Sequence, residues 1–319
     1  LEKKKKTKKM SGQTVSPNKE LNESQKKSLF IYNIIAGVLH LVLLVVFFSV
    51  SVDYWVQGKD FKGIDTSTYV TQPVFSRREP NPDEQEDRSL KLDSFRADQV
   101  SATNEKVIPL MCCLFVLITA VFHITVATWK KKQYHDCLKS GTNPFRWIEY
   151  SITASIMFYI VLASLGMRDF NAILVAIPLC SIIMIIGLFI EEYAHGSTRK
   201  DMKRAWFLTA VAWLGFFALW SVLISSFTRS IDAVEKARNP FGELSQEMQE
   251  FRIFLWIGFM IILVFYASFG AWQTGNMLKK TSGAFFREKG YIILSFCSKV
   301  SLVILLFWGL YGRSSADNQ

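Results

Sequence analysis

Four titratable side chains fall inside long apolar stretches of this sequence: His40, His123, Glu149 and Lys299. Lys299 is the most demanding. It sits within YIILSFCSKVSLVILLFWGLYG, nine residues after Gly290 and twelve before Tyr311. At a helical rise of about 1.5 Å per residue, neither end of that segment brings the ammonium comfortably to water. A bare charge at this depth costs about 2.5 to 3.5 kcal/mol on insertion scales, so another group must offset it. Glu149 is the carboxylate placed to do so. It follows Pro144, a favoured first helical residue, and lies three residues after Arg146. That spacing puts both on one helix face, with the arginine nearer the end and the glutamate deeper.

The elements that must position these groups are membrane spans. Half of the residues are hydrophobic against 20% charged, and the apolar residues come in seven blocks long enough to cross a bilayer: 28–50, 107–129, 144–167, 170–190, 205–227, 251–272 and 290–311. The predicted fold is therefore an all-α seven-helix membrane bundle over 28–312. A basic tail (1–27) precedes it and a short tail (313–319) follows, with no soluble domain left over. The early residues are polar and lysine-rich, so no signal peptide is expected. Alternate connections differ in charge. The side holding the N-terminal tail carries 22 Lys and Arg and 8 acids, the opposite side 13 and 18. The positive-inside bias then places the N-terminus in the cytoplasm and the C-terminus outside. On this reading the basic balance reflects topology, and nucleic acid is not an expected partner. Lys3–Lys9 reads mainly as a solvated basic tail facing the lipid surface.

The one long connection, 53–106, falls on the outer side. Its first part, 61–75, alternates Ile64, Thr66, Thr68 and Val70 and is compatible with a β-hairpin. Its second part, 76–98, is charged and proline-containing, which predicts exposure. A cap, a dimer contact and a plain surface loop all fit this segment. The five cysteines read as small apolar residues, four of them within spans and Cys137 in an inner loop. No metal-ligand spacing, phosphate-binding glycine loop or Ser/His/Asp set is recognisable, so neither a metal site nor an enzyme is expected. The sequon Asn22-Glu-Ser lies on the cytoplasmic side. Glu191 and Glu192 close the fourth span and read as hydrated helix-end charges.

Two chemistries suit Lys299 and Glu149: a salt bridge tying the third and seventh spans, or a retinal Schiff base with its carboxylate counterion, since a protonated imine in a membrane needs a nearby anion. Around both residues the sequence resembles microbial-type rhodopsins, and specifically the heliorhodopsin family. Arg146-Trp147-Ile148-Glu149-Tyr150-Ser151 is similar to that family's counterion signature. Ser295-Phe-Cys-Ser-Lys299 is similar to its lysine motif, in which a serine replaces the second carboxylate of ion pumps. At i, i+4, Ser295 shares a face with Lys299. The inverted orientation agrees with the family and was reached separately from loop charge.

The resemblance implies an all-trans retinal cofactor on Lys299, Glu149 as counterion, and a homodimer in the lipid bilayer. It also implies a proton network of His40 and His123 with Glu149, joined by Arg146 in the motif; taken alone, each histidine reads as a satisfied core residue. Tyr150 is placed at the cofactor with Ser295. Trp256 and Phe259, spaced i, i+3 on the sixth span, are expected to contact the chromophore, although ordinary helix packing suits them equally. Pumps of this class carry a second carboxylate about three turns past the counterion, a position that falls here near Ile160. The expected function is a slow-cycling photosensor. The alternatives are a light-gated proton or cation conductance, with Glu235 at an outer mouth, and a non-retinal seven-helix receptor or transporter.

Overall fold

A computed structural model describes residues 21–56, 68–77, 90–101, 107–195, 198–236, 238, 242–278 and 283–311, with no side chains described for 54–101. Eight helices are found among these residues: α1 Glu23–Val56, α2 Val107–Ala127, α3 Lys131–Ser140, α4 Pro144–Ser164, α5 Phe170–Ala194, α6 Arg199–Lys236, α7 Gln246–Leu278 and α8 Ala284–Tyr311. All but α3 are long and apolar enough to cross a membrane, which makes seven. They close into a ring in which α1 touches α2 and α8, and α2, α4, α5, α6, α7 and α8 follow in contact order. α4 is the most enclosed, with 61% of its most apolar stretch buried against 11% for α7. The side chains of α4 therefore face protein on most sides, and a polar group there must find its partners within the bundle.

Several helices outrun the apolar blocks. α6 has 38 residues, about 57 Å at the helical rise, well beyond a hydrocarbon core of about 30 Å. Helical hydrogen bonding continues wherever the backbone meets no breaker, so hydropathy alone sets these ends too short. The loop 130–146 also departs from expectation, because it contains α3. Gly141, at φ 88°, ends α3 in the left-handed conformation that glycine adopts cheaply. Asn143 then caps α4 by accepting from the Arg146 amide at 3.3 Å, with Pro144 opening the helix. Asn22 of the sequon is likewise a helix cap. It accepts from the Gln25 amide at 2.8 Å, and the Gln25 side chain returns the bond at 3.1 Å.

Between α1 and α2 lie β1, Thr68–Arg77, and β2, Leu90–Ser101, paired antiparallel with Arg77 opposite Leu90. β1 lies against α5. β2 runs through the stretch read as charged and exposed, where Leu90 and Leu92 alternate with Lys91 and Asp93. A period of two is enough for a strand that a partner can pair with, whatever the net charge. Residues 57–67 and 78–89 of the same connection, including the early part of the expected alternation, lie outside the described residues, as do 1–20 of the basic tail.

Close helix approach is set at α4 and α5. A Cβ at Gly187 would collide with the Trp147 indole, so glycine lets the ring lie flat against α5. We expect Gly187→Ala to destabilise the folded chain by about 1 to 3 kcal/mol through overpacking. Gly275→Ala, where a Cβ meets nothing, should be neutral or gain up to about 1 kcal/mol. Thermal melts of the two variants in one detergent check the contrast.

Candidate functional site

Lys299 on α8 and Glu149 on α4 form an ion pair, both almost fully buried. Lys299 Nζ also donates to Ser295 Oγ at 3.0 Å, one turn back on α8. Helical side chains lean toward their own N-terminus, which directs the lysine to that serine. Glu149 Oε1 further accepts from Thr119 Oγ1 of α2 at 2.8 Å and Thr153 Oγ1 at 3.0 Å. Thr153 Oγ1 lies equally close to Glu149 O, at 3.0 Å, so its one proton is shared between the backbone and the carboxylate. Tyr150 completes the setting, its ring face 5.3 Å from Nζ and its hydroxyl donating to Tyr291 O at 3.2 Å.

Two cavities meet at this pair. One opens from Lys299 between α4, α5 and α7 and is lined by Tyr150, Met157, Met184, Tyr266 and Phe269. The other opens from Glu149 toward the α8 N-terminus and is lined by Asn33, His123, Tyr134, Arg146 and Glu288. Tyr150 borders both. The structure does not bring Trp256 and Phe259 to either lining. Trp256 is exposed on α7, and Phe259 stacks on Phe227 with centroids 4.2 Å apart. The reason is depth. α7 and α8 run antiparallel, with Trp272 beside Arg287 and Phe254 beside Trp308, so Trp256 and Phe259 lie nearer the α7 N-terminus than the level toward which Lys299 leans. Tyr266 and Phe269, two to three turns further along α7, reach it.

The histidines lie on the α1–α2 side of Glu149. Asn33 gives Nδ2 to Leu29 O at 2.9 Å, so its Oδ1 accepts from His123 Nδ1 at 2.8 Å. His40 stacks on His123 with centroids 5.9 Å apart and bonds Ala36 O through Nδ1 at 2.7 Å. Its buried Nε2 has no hydrogen-bond partner among the described residues.

Arg146 turns away from Glu149 and is clasped between Glu191 of α5 and Glu288 of α8, all three buried. The reading of Glu191 as a hydrated helix-end charge is thus corrected. It is 2% exposed and also accepts from Trp147 Nε1 at 2.9 Å and the Asn143 amide at 3.2 Å. The compensating arginine comes from another helix, out of reach of local sequence. Glu192 is exposed. Glu288 accepts from Asn143 Nδ2 at 2.6 Å and Tyr134 OH at 3.1 Å, and Asn33 Nδ2 approaches the same hydroxyl at 3.4 Å. Behind the clasp, Arg287 donates to Gly141 O at 2.9 Å and to His195 Nε2 at 2.7 Å. Glu235, at the far end, forms surface ion pairs with Arg238 and Arg252.

Glu288, Arg287, Tyr134, Asn143, Asn33 and Thr119 went unread in the sequence. Glu288 and Arg287 stand just before the seventh apolar block and looked like loop charges, and Asn33 is not titratable. Thr153, at i+4 from Glu149, was the one visible signal. A heliorhodopsin family model matches residues 29–311, most of the chain. The chain belongs to the heliorhodopsin family. Membership implies a retinal-based, light-sensing rhodopsin, and with seven apolar spans it makes this heliorhodopsin an integral multi-pass membrane protein. The fold is similar to the crystal structure of a light-driven proton pump, LR (Mac), from Leptosphaeria maculans. The two align with a TM-score of 0.55 at 14% identity, over 93% of this chain and 97% of that one. No curated protein matches by sequence.

Burial, with Arg287 alongside, pushes the His195 ring down to about 4 from its usual 6.5. The unfolded ring takes up a proton below about pH 6.5, the folded one only near 4. The stability is therefore full above about pH 6.5 and is lost as pH falls toward 4. We expect the melting temperature of the full chain to fall between about pH 7 and about pH 4.5, and His195→Gln to flatten that slope. Melts at both pH values check it.

Proposed function

We propose that this heliorhodopsin is a photosensor in which all-trans retinal is held as a Schiff base on Lys299, with Glu149 as its counterion. The observation that carries this reading is the buried Lys299–Glu149 pair at the mouth of an apolar cavity. A structural salt bridge needs the pair but not the cavity. Retinal, when bound, supplies light absorption and isomerisation. The residues supply the rest. Ser295 orients the lysine nitrogen, Glu149 holds its proton in place, and Thr119 and Thr153 orient the carboxylate. Tyr266 and Phe269 offer aromatic faces to a polyene. The open space beside Lys299 admits only about 40 Å3 to the centre of a water-sized sphere. A long ligand must therefore displace Met157 and Met184, whose unbranched thioethers repack at low cost.

The sensor reading is preferred to a pump or a conductance on two grounds. Ile160, near the place of a second pump carboxylate, is buried and apolar, and Ser295 stands in for the other. Arg146, clasped between two carboxylates, closes the inner end of the Glu149 cavity. We place the N-terminus in the cytoplasm, supported by the loop charges, and a homodimer follows from the family resemblance.

Adding all-trans retinal to the expressed full chain should give a visible band that is absent in Lys299→Ala. A band retained in that variant would sink the Schiff-base assignment. Glu149→Gln should move the maximum to longer wavelength, because removing the counterion withdraws ground-state stabilisation of the charged imine; an unmoved maximum points to another counterion. Voltage-clamped cells should show no light-evoked current at any holding potential, and a current would turn the reading to a conductance.

A further inference from the structure

The polar cavity is lined by two carboxylates. One is Glu149, the partner of Lys299, and the other is Glu288, near the α8 N-terminus. Its open space admits about 30 Å3 to the centre of a water-sized sphere, and about 10 to 15 Å3 suffices for one water. Along its wall a side-chain chain runs from His123 through Asn33 and Tyr134 to Glu288. We propose that Glu288 is a second proton site, which takes up the proton leaving Lys299 Nζ and thereby loosens α3.

The inference rests on the Lys299 reading above and extends it to the fate of the proton. Transfer breaks the N–H bond at Lys299 and forms an O–H bond at Glu288. The nitrogen loses its positive charge, the carboxylate loses its negative charge, and Arg146 stays paired with Glu191. Three observations single out Glu288. It borders the cavity, whereas Glu191 does not. Its Oε1 meets the Tyr134 hydroxyl, which can reverse from donor to acceptor when the acid is protonated. The three partners of Glu191 are all N–H donors and cannot reverse. Buried Arg146, on the cavity wall beside Glu288, and buried Arg287 behind it present two positive charges that oppose further movement of a proton. Glu149 is the nearer base, but a proton resting there stays beside the nitrogen it left.

The link to α3 is Tyr134. It is buried, sits on α3, and makes a hydrogen bond to Glu288 that is charge-assisted only while the carboxylate is ionised. Protonation weakens the hold on α3, the short helix that carries Tyr134.

Two measurements test this on the full chain. In the retinal-loaded protein, light should produce an infrared carboxylic-acid C=O band that disappears in Glu288→Gln and survives in Glu191→Gln. In the retinal-free protein, Glu288→Gln, which mimics the protonated acid, should speed amide exchange across α3 about fivefold to tenfold while α5 and α6 stay as they were. A band that persists in Glu288→Gln, a band lost in Glu191→Gln, or unchanged α3 exchange overturns the proposal. If Glu288→Gln fails to fold, Glu288→Asp must shift the band, and an unshifted band overturns the proposal equally. Pigment that forms and cycles without any such band removes Glu288 as the acceptor and leaves Lys299 standing. Failure to form pigment removes both.

Discussion

The ion pair between Lys299 and Glu149 joins α8 to α4 with both side chains almost fully buried. Leaving either partner alone would cost about 3 to 5 kcal/mol, as for other buried pairs, so the bundle must keep these two helices in register. Much of the surrounding detail follows from that demand. Ser295 stands one turn from the lysine, two threonines supply the remaining bonds of the carboxylate, and Tyr150 closes over the ammonium. α4 carries the glutamate and is the most enclosed span. This is the place a helix must occupy if its polar side chains are to be satisfied by protein on several sides.

A second buried charge system sits nearer the α8 N-terminus, where Arg146 pairs with Glu191 and Glu288 and buried Arg287 lies behind them on Gly141 O and His195. Its two arginines and two carboxylates carry no net formal charge, which lets four ionised groups share one buried site. The groups come from α4, α5 and α8, and the end of α3 joins through Gly141 O. Such a cluster fixes helix ends to one another more than it stabilises the fold, since hydrophobic replacements of similar shape often serve stability as well.

The legibility of these two systems in the sequence differed for a physical reason. Lys299 and Glu149 were found because each interrupts an apolar run, and an interruption in a membrane span is costly enough to need an explanation. The spans themselves, and hence the seven-helix bundle, follow from apolar length. The clasp was hidden because its members lie at span ends. There a charge is ordinarily solvated, and only the tertiary approach of α5 and α8 to Arg146 shows otherwise. Helix ends were set short for α6 because hydropathy registers the lipid and not the backbone hydrogen bonding that continues past it. The aromatic positions on α7 were set too near its N-terminus because spacing within one helix carries no information about its depth against the next. His40 and His123 stand between these cases, visible as residues but not in their pairing with each other and with Asn33.

Arg146 and Glu149 lie nearly one turn apart on a single stiff helix, yet each engages a different charge cluster. α4 can therefore act as a crankshaft. A small rotation about its axis that draws Glu149 from Lys299 also swings Arg146 relative to Glu191 and Glu288. Torque applied at one site reaches the other through the helix rod itself, with no chain of rearranging side chains in between.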